Sequence, residues 1–135
     1  MEDYIDHTYL PNPDTLNSDN NKSLTLSEYQ REAYKTFLSE TPDPFHYMVF
    51  GLVSEIGEFV GKVKKLQRDH HIIFPIDFPP TIKEELFFEL GDILWYIAGL
   101  STQLHIDLGE VGEKNLQKLS DRKKRDAIKG SGDYR

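Results

Sequence analysis

Hydrophobic residues recur at spacings of three and four from about residue 25 onward, which is the period of helices packed against a core. The pattern predicts four helices, at residues 25–38, 44–68, 81–104 and 107–128. A residue type that caps helix N termini stands before or at the start of each helix: Thr25, Asp43, Thr81 and Asp107. Since no segment alternates convincingly as a strand does, the predicted fold class is an all-α, four-helix-bundle-like domain.

Three segments outside these helices lack a helical period. Residues 1–24 are rich in Asn, Asp, Ser and Pro, so we expect an irregular N-terminal arm before a domain at 25–135. Residues 70–80 contain three prolines and predict a loop. The tail 130–135 could fold over a phosphate through its backbone N–H groups and Arg135, although a glycine-rich tail alone is more often disordered.

The third predicted helix is apolar on two sides. One side carries the stripe Leu86, Leu90, Ile93, Ile97 and Leu104, and the other carries Phe87, Leu94 and Ala98. A chain of 135 residues can hardly cover both stripes by itself. We therefore expect a homo-oligomer, a dimer or tetramer, in which a second copy covers one of them.

Composition excludes several classes of protein. The chain has no cysteine, which rules out disulfides and thiolate metal sites. Its net charge of −7 argues against generic binding to nucleic acid polymers or anionic membranes. The apolar run 86–100 is too short to span a membrane, and no signal-peptide pattern precedes it. The expectation is a soluble cytoplasmic protein.

Two pairs of acidic residues have the same spacing on neighbouring helices. Glu89 and Asp92 are the only charges in the run 86–100, and Glu55 and Glu58 stand three apart on the second helix. In each helix the acidic residues stand one position before the apolar residues of a stripe. This is the arrangement expected if the two pairs meet across a groove between the helices. Oxygen ligands without His or Cys favour Mg²⁺ or Mn²⁺ over Zn²⁺. The alternative is a solvated face, since the chain has 23 acidic residues.

Basic and polar residues extend these rows. Lys62 and Lys65 continue the acidic row of the second helix, and Tyr96 continues that of the third. The fourth helix presents Asn115, Lys118, Arg122 and Arg125 on one face. Such a face suits a polyphosphate, although a solvated basic face near a helix C terminus is the alternative. The pair His70–His71 is adjacent to neither acidic pair, and Trp95 is more typical of a core position.

The segments GLVSEIGE, ELGDILWYIAGL and EKNLQKLSDR, with GSGDYR at the end, resemble the MazG-like nucleoside triphosphate pyrophosphohydrolases over about residues 26–135. The family's metal motif falls on Glu55, Glu58, Glu89 and Asp92, and its Asn, Lys and Arg fall on Asn115, Lys118 and Arg122. The resemblance implies Mg²⁺-dependent hydrolysis between the α and β phosphates, giving a monophosphate and pyrophosphate. The proline-rich loop lengthens the interval between the acidic pairs, which could alter the pocket rim.

The resemblance also implies a role for each residue. The four carboxylates would hold two or more Mg²⁺ ions, and Glu55 or Glu58 could instead orient or deprotonate the attacking water. Lys118 and Arg122, with Lys62 or Lys65, would stabilise the pyrophosphate leaving group. A narrower pyrophosphohydrolase acting on dUTP, dCTP or a phosphoribosyl nucleotide is one rival. A non-catalytic helical oligomer that binds metal or nucleotide to regulate a partner is another.

Overall fold

The computed structural model describes residues 23–38, 40–70 and 78–125, and these residues form helices and no strand. The four helices in chain order are α1 Leu26–Tyr34, α2 Pro44–His70, α3 Pro80–Gln103 and α4 Leu108–Lys124. The predicted all-α class is therefore confirmed. The predicted arm before residue 23, most of the proline-rich loop and the tail with Arg135 lie outside the described residues. No helix in the described ranges is long and apolar enough to cross a membrane.

Three helices begin where the capping residues predict. Thr25 Oγ1 accepts a hydrogen bond from Glu28 N at 3.1 Å, and the Glu28 carboxylate accepts one from Thr25 N at 3.0 Å. Asp43 Oδ1 accepts from His46 N at 3.1 Å, at the start of α2. Asp107 does the same for Glu110 N at 3.0 Å, at the start of α4. Each side chain satisfies backbone N–H groups that have no partner within the helix.

Apart from the end of α2, which is at His70 rather than residue 68, two predicted helix boundaries differ from the structure. The predicted cap at Thr81 is wrong, because α3 already begins at Pro80 and its N-cap Pro79 makes no side-chain capping bond. Proline suits the first helical position, where its fixed φ is helical and the missing N–H has no partner to lose. The first helix ends at Tyr34 rather than Leu38, and Thr36 Oγ1 donates to Ala33 O at 2.7 Å in the turn that follows.

A third boundary, the end of α4, also comes earlier than predicted. The helix ends at Lys124 with Arg125 as its C-cap, whereas the sequence pattern extends it to Ile128. Three basic residues occupy the last turn, where positive charge interacts favourably with the helix dipole.

Helices α2 and α3 pack against each other in antiparallel orientation. Met48 near the start of α2 contacts Gly99 near the end of α3, whereas Lys62 further along α2 pairs with Glu89. A Cβ atom on Gly99 would lie 2.7 Å from Met48 Cε, so a larger residue there would require the end of the Met48 side chain to move. The buried apolar side chains of the described residues are Met48, Leu66, Leu86, Ala98 and Leu108.

Helix α1 lies against α3 and α4 and is held there by polar contacts. The Gln30 amide donates to Thr102 Oγ1 at 3.1 Å and to Ile106 O at 3.0 Å, and it accepts from Leu108 N at 2.7 Å. One side chain thus fixes the turn between α3 and α4. Trp95 Nε1 donates to Thr36 Oγ1 at 2.8 Å, which gives this tryptophan a packing role between α1 and α3.

Much of the predicted apolar core is exposed in a single chain. Leu86 and Ala98 of α3 are buried, but Phe87, Leu90 and Leu104 remain 70%, 54% and 53% exposed. Ile56, one of the periodically spaced apolar residues of α2, is also exposed. It belongs to a stripe that the sequence pattern did not separate from the core, formed by Phe50, Val53, Ile56 and Val60. The apolar period predicts which residues suit a core, but it does not tell whether the same chain covers them.

Candidate metal centre

Three of the four predicted carboxylates converge between α2 and α3. Glu55 and Glu58 are three apart and therefore share a face of α2, and Glu89 approaches them from α3. One carboxylate oxygen from each residue lies within 4.8 Å of the others. Glu89 is buried, Glu55 is half-buried and Glu58 is exposed. The group therefore opens to solvent on the α2 side and is closed on the α3 side.

Lys62 supplies positive charge to this group. Its Nζ lies 2.8 Å from Glu89 Oε1, and this hydrogen bond raises the pKa of Lys62. The second carboxylate oxygen, Glu89 Oε2, is buried and accepts no hydrogen bond from any described residue. An ionised oxygen is costly to bury without a partner. Lys62 therefore compensates only part of the Glu89 charge.

The negative charge of the cluster acts most clearly on Glu55. Burial raises the pKa of Glu55, and the charges of Glu58, Asp92 and Glu89 raise it further. Each of these effects disfavours the ionised form. A cation bound between the carboxylates would remove the repulsion, so the electrostatics of the cluster favour cation binding.

Asp92 lies beside the cluster rather than within it. Its side chain is exposed and is not among the three carboxylates that converge. Its charge nevertheless reaches the site, because it contributes to the raised pKa of Glu55. Burial and the charge of Asp92 also raise the pKa of Tyr29 on α1. Sequence reasoning did not identify Tyr29, and no local pattern could have linked two residues so far apart in the chain.

Tyr96 closes the site toward the start of α2. Its ring packs against Gly51, where a Cβ atom would collide with the ring. Burial and a hydrogen bond with Tyr47, together with the charges of Tyr47, Glu55 and Asp92, raise the pKa of Tyr96 to about 12. The hydroxyl is therefore neutral and can donate a hydrogen bond at physiological pH.

Lys62 and Lys65 line a groove at the other end of the cluster. The groove has a volume of about 210 Å³ and is also lined by Asp69, Ile82, Glu85 and two leucines. The structure thus places Lys62 in direct contact with the acidic group and Lys65 one helical turn further along the same groove.

The basic face of α4 lies elsewhere in the chain. Asn115 and Lys118 line a cleft of about 630 Å³ whose described lining includes none of the four motif carboxylates. Leu94, which lines the same cleft, stands five residues from Glu89 and therefore lies about 140° around α3 from it. Arg122 is buried, with 8% of its surface exposed. Asn115 and Lys118 therefore line a different cleft from that of Lys62 and Lys65, and Arg135 lies outside the described residues.

The acidic group fits a hard divalent cation. Its converging ligands are all carboxylate oxygens, the donor type that Mg²⁺ and Mn²⁺ prefer. The buried Glu89 Oε2 has no hydrogen-bond partner among the described residues, and burial together with the neighbouring negative charges raises the pKa of Glu55. A divalent cation bound here would interact favourably with both carboxylates.

Comparison with known proteins agrees with this geometry. The sequence profile of the MazG nucleotide pyrophosphohydrolase domain matches residues 44–126, which include α2, α3 and α4. The Gene 37 protein of Mycobacterium phage L5 is 44% identical over 89 residues, covering 66% of this chain and 75% of the phage protein. Its name states no activity. No solved structure matches the chain significantly. Because the profile covers more than half of the chain and all four motif carboxylates, the chain belongs to the MazG nucleotide pyrophosphohydrolase family.

Proposed function

We propose that this protein is a Mg²⁺-dependent nucleoside triphosphate pyrophosphohydrolase. It hydrolyses a nucleoside or deoxynucleoside triphosphate to the monophosphate and pyrophosphate. The observation that carries the proposal is the convergence of Glu55, Glu58 and Glu89 inside the segment that matches the family, where the buried Glu89 Oε2 has no hydrogen-bond partner among the described residues. Membership of the family supports a nucleotide pyrophosphohydrolase, and the carboxylate cluster supports the metal dependence.

The carboxylates have two functions in this proposal. Glu55, Glu58, Glu89 and Asp92 hold Mg²⁺, with Mn²⁺ as a substitute. When bound, the cations neutralise charge on phosphate oxygens and lower the pKa of a coordinated water. Glu55 or Glu58, which lie on the solvent side of the cluster, orients or deprotonates the attacking water. No covalent intermediate is needed.

The remaining candidates bind the substrate. Lys62 and Lys65 lie along the groove next to the cluster and stabilise the leaving pyrophosphate. Asn115, Lys118 and Arg122 form the second set of phosphate ligands, with Arg135 from the tail. Because Asn115 and Lys118 line a separate cleft, they hold the substrate away from the reacting phosphate, or act in a neighbouring chain of an oligomer. Tyr96 lies at the opposite end of the cluster from Lys62 and Lys65, and its hydroxyl donates a hydrogen bond to the nucleotide.

A homo-oligomer, a dimer or tetramer, is part of the proposal. The exposed stripe Phe50, Val53, Ile56 and Val60 on α2 supports it, as do Phe87 and Leu90 on α3. Contiguous apolar surface of this kind is unusual on a monomer. A second copy of the chain is the simplest cover for such a surface.

The test is product analysis with a panel of nucleotides. Purified protein is incubated with NTPs and dNTPs, with Mg²⁺ or with EDTA, and the products are identified by ³¹P NMR. The proposal expects monophosphate and pyrophosphate, formed with Mg²⁺ and not with EDTA. Diphosphate and inorganic phosphate would place the cleaved bond elsewhere. Binding of nucleotide without turnover of any substrate would favour the regulatory oligomer instead.

A further inference from the structure

We propose that Lys62 is a built-in counter-ion which a divalent cation has to displace from Glu89. In the metal-free protein it keeps the buried carboxylate in place and lowers the affinity of the site for metal. Displacement then frees the Lys62 ammonium for the phosphates of the substrate. This inference rests on the metal site of the proposed function and adds a regulatory role for one residue of that site.

The contact itself is close and largely buried on the acidic side. Lys62 Nζ lies 2.8 Å from Glu89 Oε1, and 9% of the Glu89 side chain is exposed against 33% of the Lys62 side chain. Such charge-assisted hydrogen bonds are stronger than neutral ones, and partial burial reduces the screening by water. The pair is thus more than a mobile surface contact.

Lys62 and a metal ion compete because they need the same carboxylate. Glu89 is the most buried of the three converging carboxylates and the one that α3 contributes to the group. Its Oε2 has no hydrogen-bond partner among the described residues, whereas Oε1 is held by Lys62. A divalent cation next to Glu89 would repel the ammonium at short range, so both cannot be held with full strength.

The groove beside the cluster gives the displaced ammonium a place to move. Lys62 lines this groove together with Lys65, Asp69 and Glu85. Its flexible four-carbon side chain lets the ammonium group move within the groove. Moving toward Asp69 or Glu85 leaves the ammonium solvated and near other carboxylates. From this position it faces the groove in which the proposed function places the leaving pyrophosphate.

The experiment measures metal binding without substrate. MgCl₂ is titrated calorimetrically into the metal-free full-length protein, using the wild type, Lys62→Met, Lys62→Arg and Lys65→Met. Lys62→Met should bind Mg²⁺ about tenfold more tightly, near the lower end of what a partly exposed charged hydrogen bond contributes. Lys65→Met loses the same charge on the same groove and should stay close to wild type. Lys62→Arg, which retains the counter-ion, should bind no more tightly than wild type.

Thermal melting supplies the second readout. Metal-free Lys62→Met should melt at a lower temperature than wild type, and saturating Mg²⁺ should abolish the difference. A lower melting temperature that Mg²⁺ does not restore, or an unchanged or weaker Mg²⁺ affinity in Lys62→Met, would overturn the inference. Should Lys62→Met fail to fold, Lys62→Gln keeps a donor toward Glu89 and is measured in its place.

The two proposals fail in different ways. A wild-type protein that binds no Mg²⁺ would overturn the metal site and this inference together. A wild-type protein that binds Mg²⁺ and releases pyrophosphate, with Lys62→Met and Lys65→Met equal in affinity, would overturn only the role of Lys62.

Discussion

The carboxylates of this site share one functional group but differ in burial and in the charges around them. Glu89 is buried with one ammonium at 2.8 Å, Glu58 is exposed, and Asp92 acts on the cluster through its charge. A buried carboxylate that is only partly compensated costs stability. Ionisable groups held in such environments cluster at functional sites. The cost is therefore consistent with a site that is completed by a cation.

Removing one carboxylate from the α2 or α3 pair should abolish activity without unfolding the protein. Glu58→Gln and Asp92→Asn are each expected to lower pyrophosphate release by about 100-fold or more, since even partners behind metal ligands contribute 10–100-fold. Both side chains are exposed, so the helical circular dichroism spectrum should not change. Glu84→Gln, an exposed carboxylate of α3 outside the cluster, is the matched control. Full activity in either variant would remove that residue from the metal site.

The raised pKa of Glu55 predicts how stability depends on pH. The folded protein binds this proton more tightly than the unfolded chain, so stability falls as pH rises from the ordinary glutamate value, about 4.3, through the raised pKa. Glu55→Gln removes this penalty. Without metal, the variant should melt a few degrees above wild type at pH 7, and the gain should vanish near pH 4.

Magnesium is the internal control for this prediction, because a bound cation also relieves the repulsion around Glu55. The advantage of Glu55→Gln should therefore disappear in saturating Mg²⁺. A variant that melts below wild type at pH 7 without metal would show that Glu55 stabilises the empty site, contrary to the electrostatic argument.

At the scale of the helices, the sequence predicts those helix starts that depend on residues only a few positions away. The starts of α1, α2 and α4 follow from Thr25, Asp43 and Asp107, because a cap acts on backbone N–H groups only a few residues away. The start of α3 was missed because two competing local signals, Pro80 and Thr81, stand side by side.

In the candidate site, too, features set by local spacing could be predicted and features set by helix packing could not. The two acidic rows could be predicted from a spacing of three, and Glu55, Glu58 and Glu89 do converge. The Lys62–Glu89 pair and the position of Tyr29 could not be predicted, since both depend on how helices are set against each other. That arrangement is fixed by close approaches such as Met48 on Gly99, which no local pattern encodes.

The close contact at Gly51 leads to a prediction about the α2–α3 pair. A Cβ atom there would collide with the Tyr96 ring, so Gly51→Ala should move the ring and lower the free energy of unfolding by about 1–3 kcal/mol. Gly61→Ala is the control on the same helix, because no described atom lies within 4 Å of its added Cβ. Alanine should stabilise the helix there by up to about 1 kcal/mol. Urea denaturation measures both, and equal effects would contradict the packing argument.

At the scale of the whole molecule, the apolar surface exceeds what one chain covers. Phe50 and Val53 of α2 are 69% and 65% exposed, and Phe87 of α3 is 70% exposed. The sequence predicted two apolar sides for α3 but not the separate stripe on α2. The reason is that Ile56 fits both the core period and the exposed stripe, so local spacing alone does not decide its environment.

The exposed stripe of α2 predicts an oligomer that a single charge can dissociate. Sedimentation at micromolar concentration should show a dimer or larger assembly for the wild type, because burying such a stripe removes apolar surface from water. Val53→Glu places a charge in the middle of the stripe, and an unpaired charge is costly in an apolar interface. It should shift the protein to monomers while leaving its helical content unchanged. Leu38→Glu is the matched control, since Leu38 is 78% exposed but lies outside the stripe, after the end of α1. A wild-type monomer, or dissociation by both variants alike, would leave these aromatic and aliphatic side chains without the proposed partner.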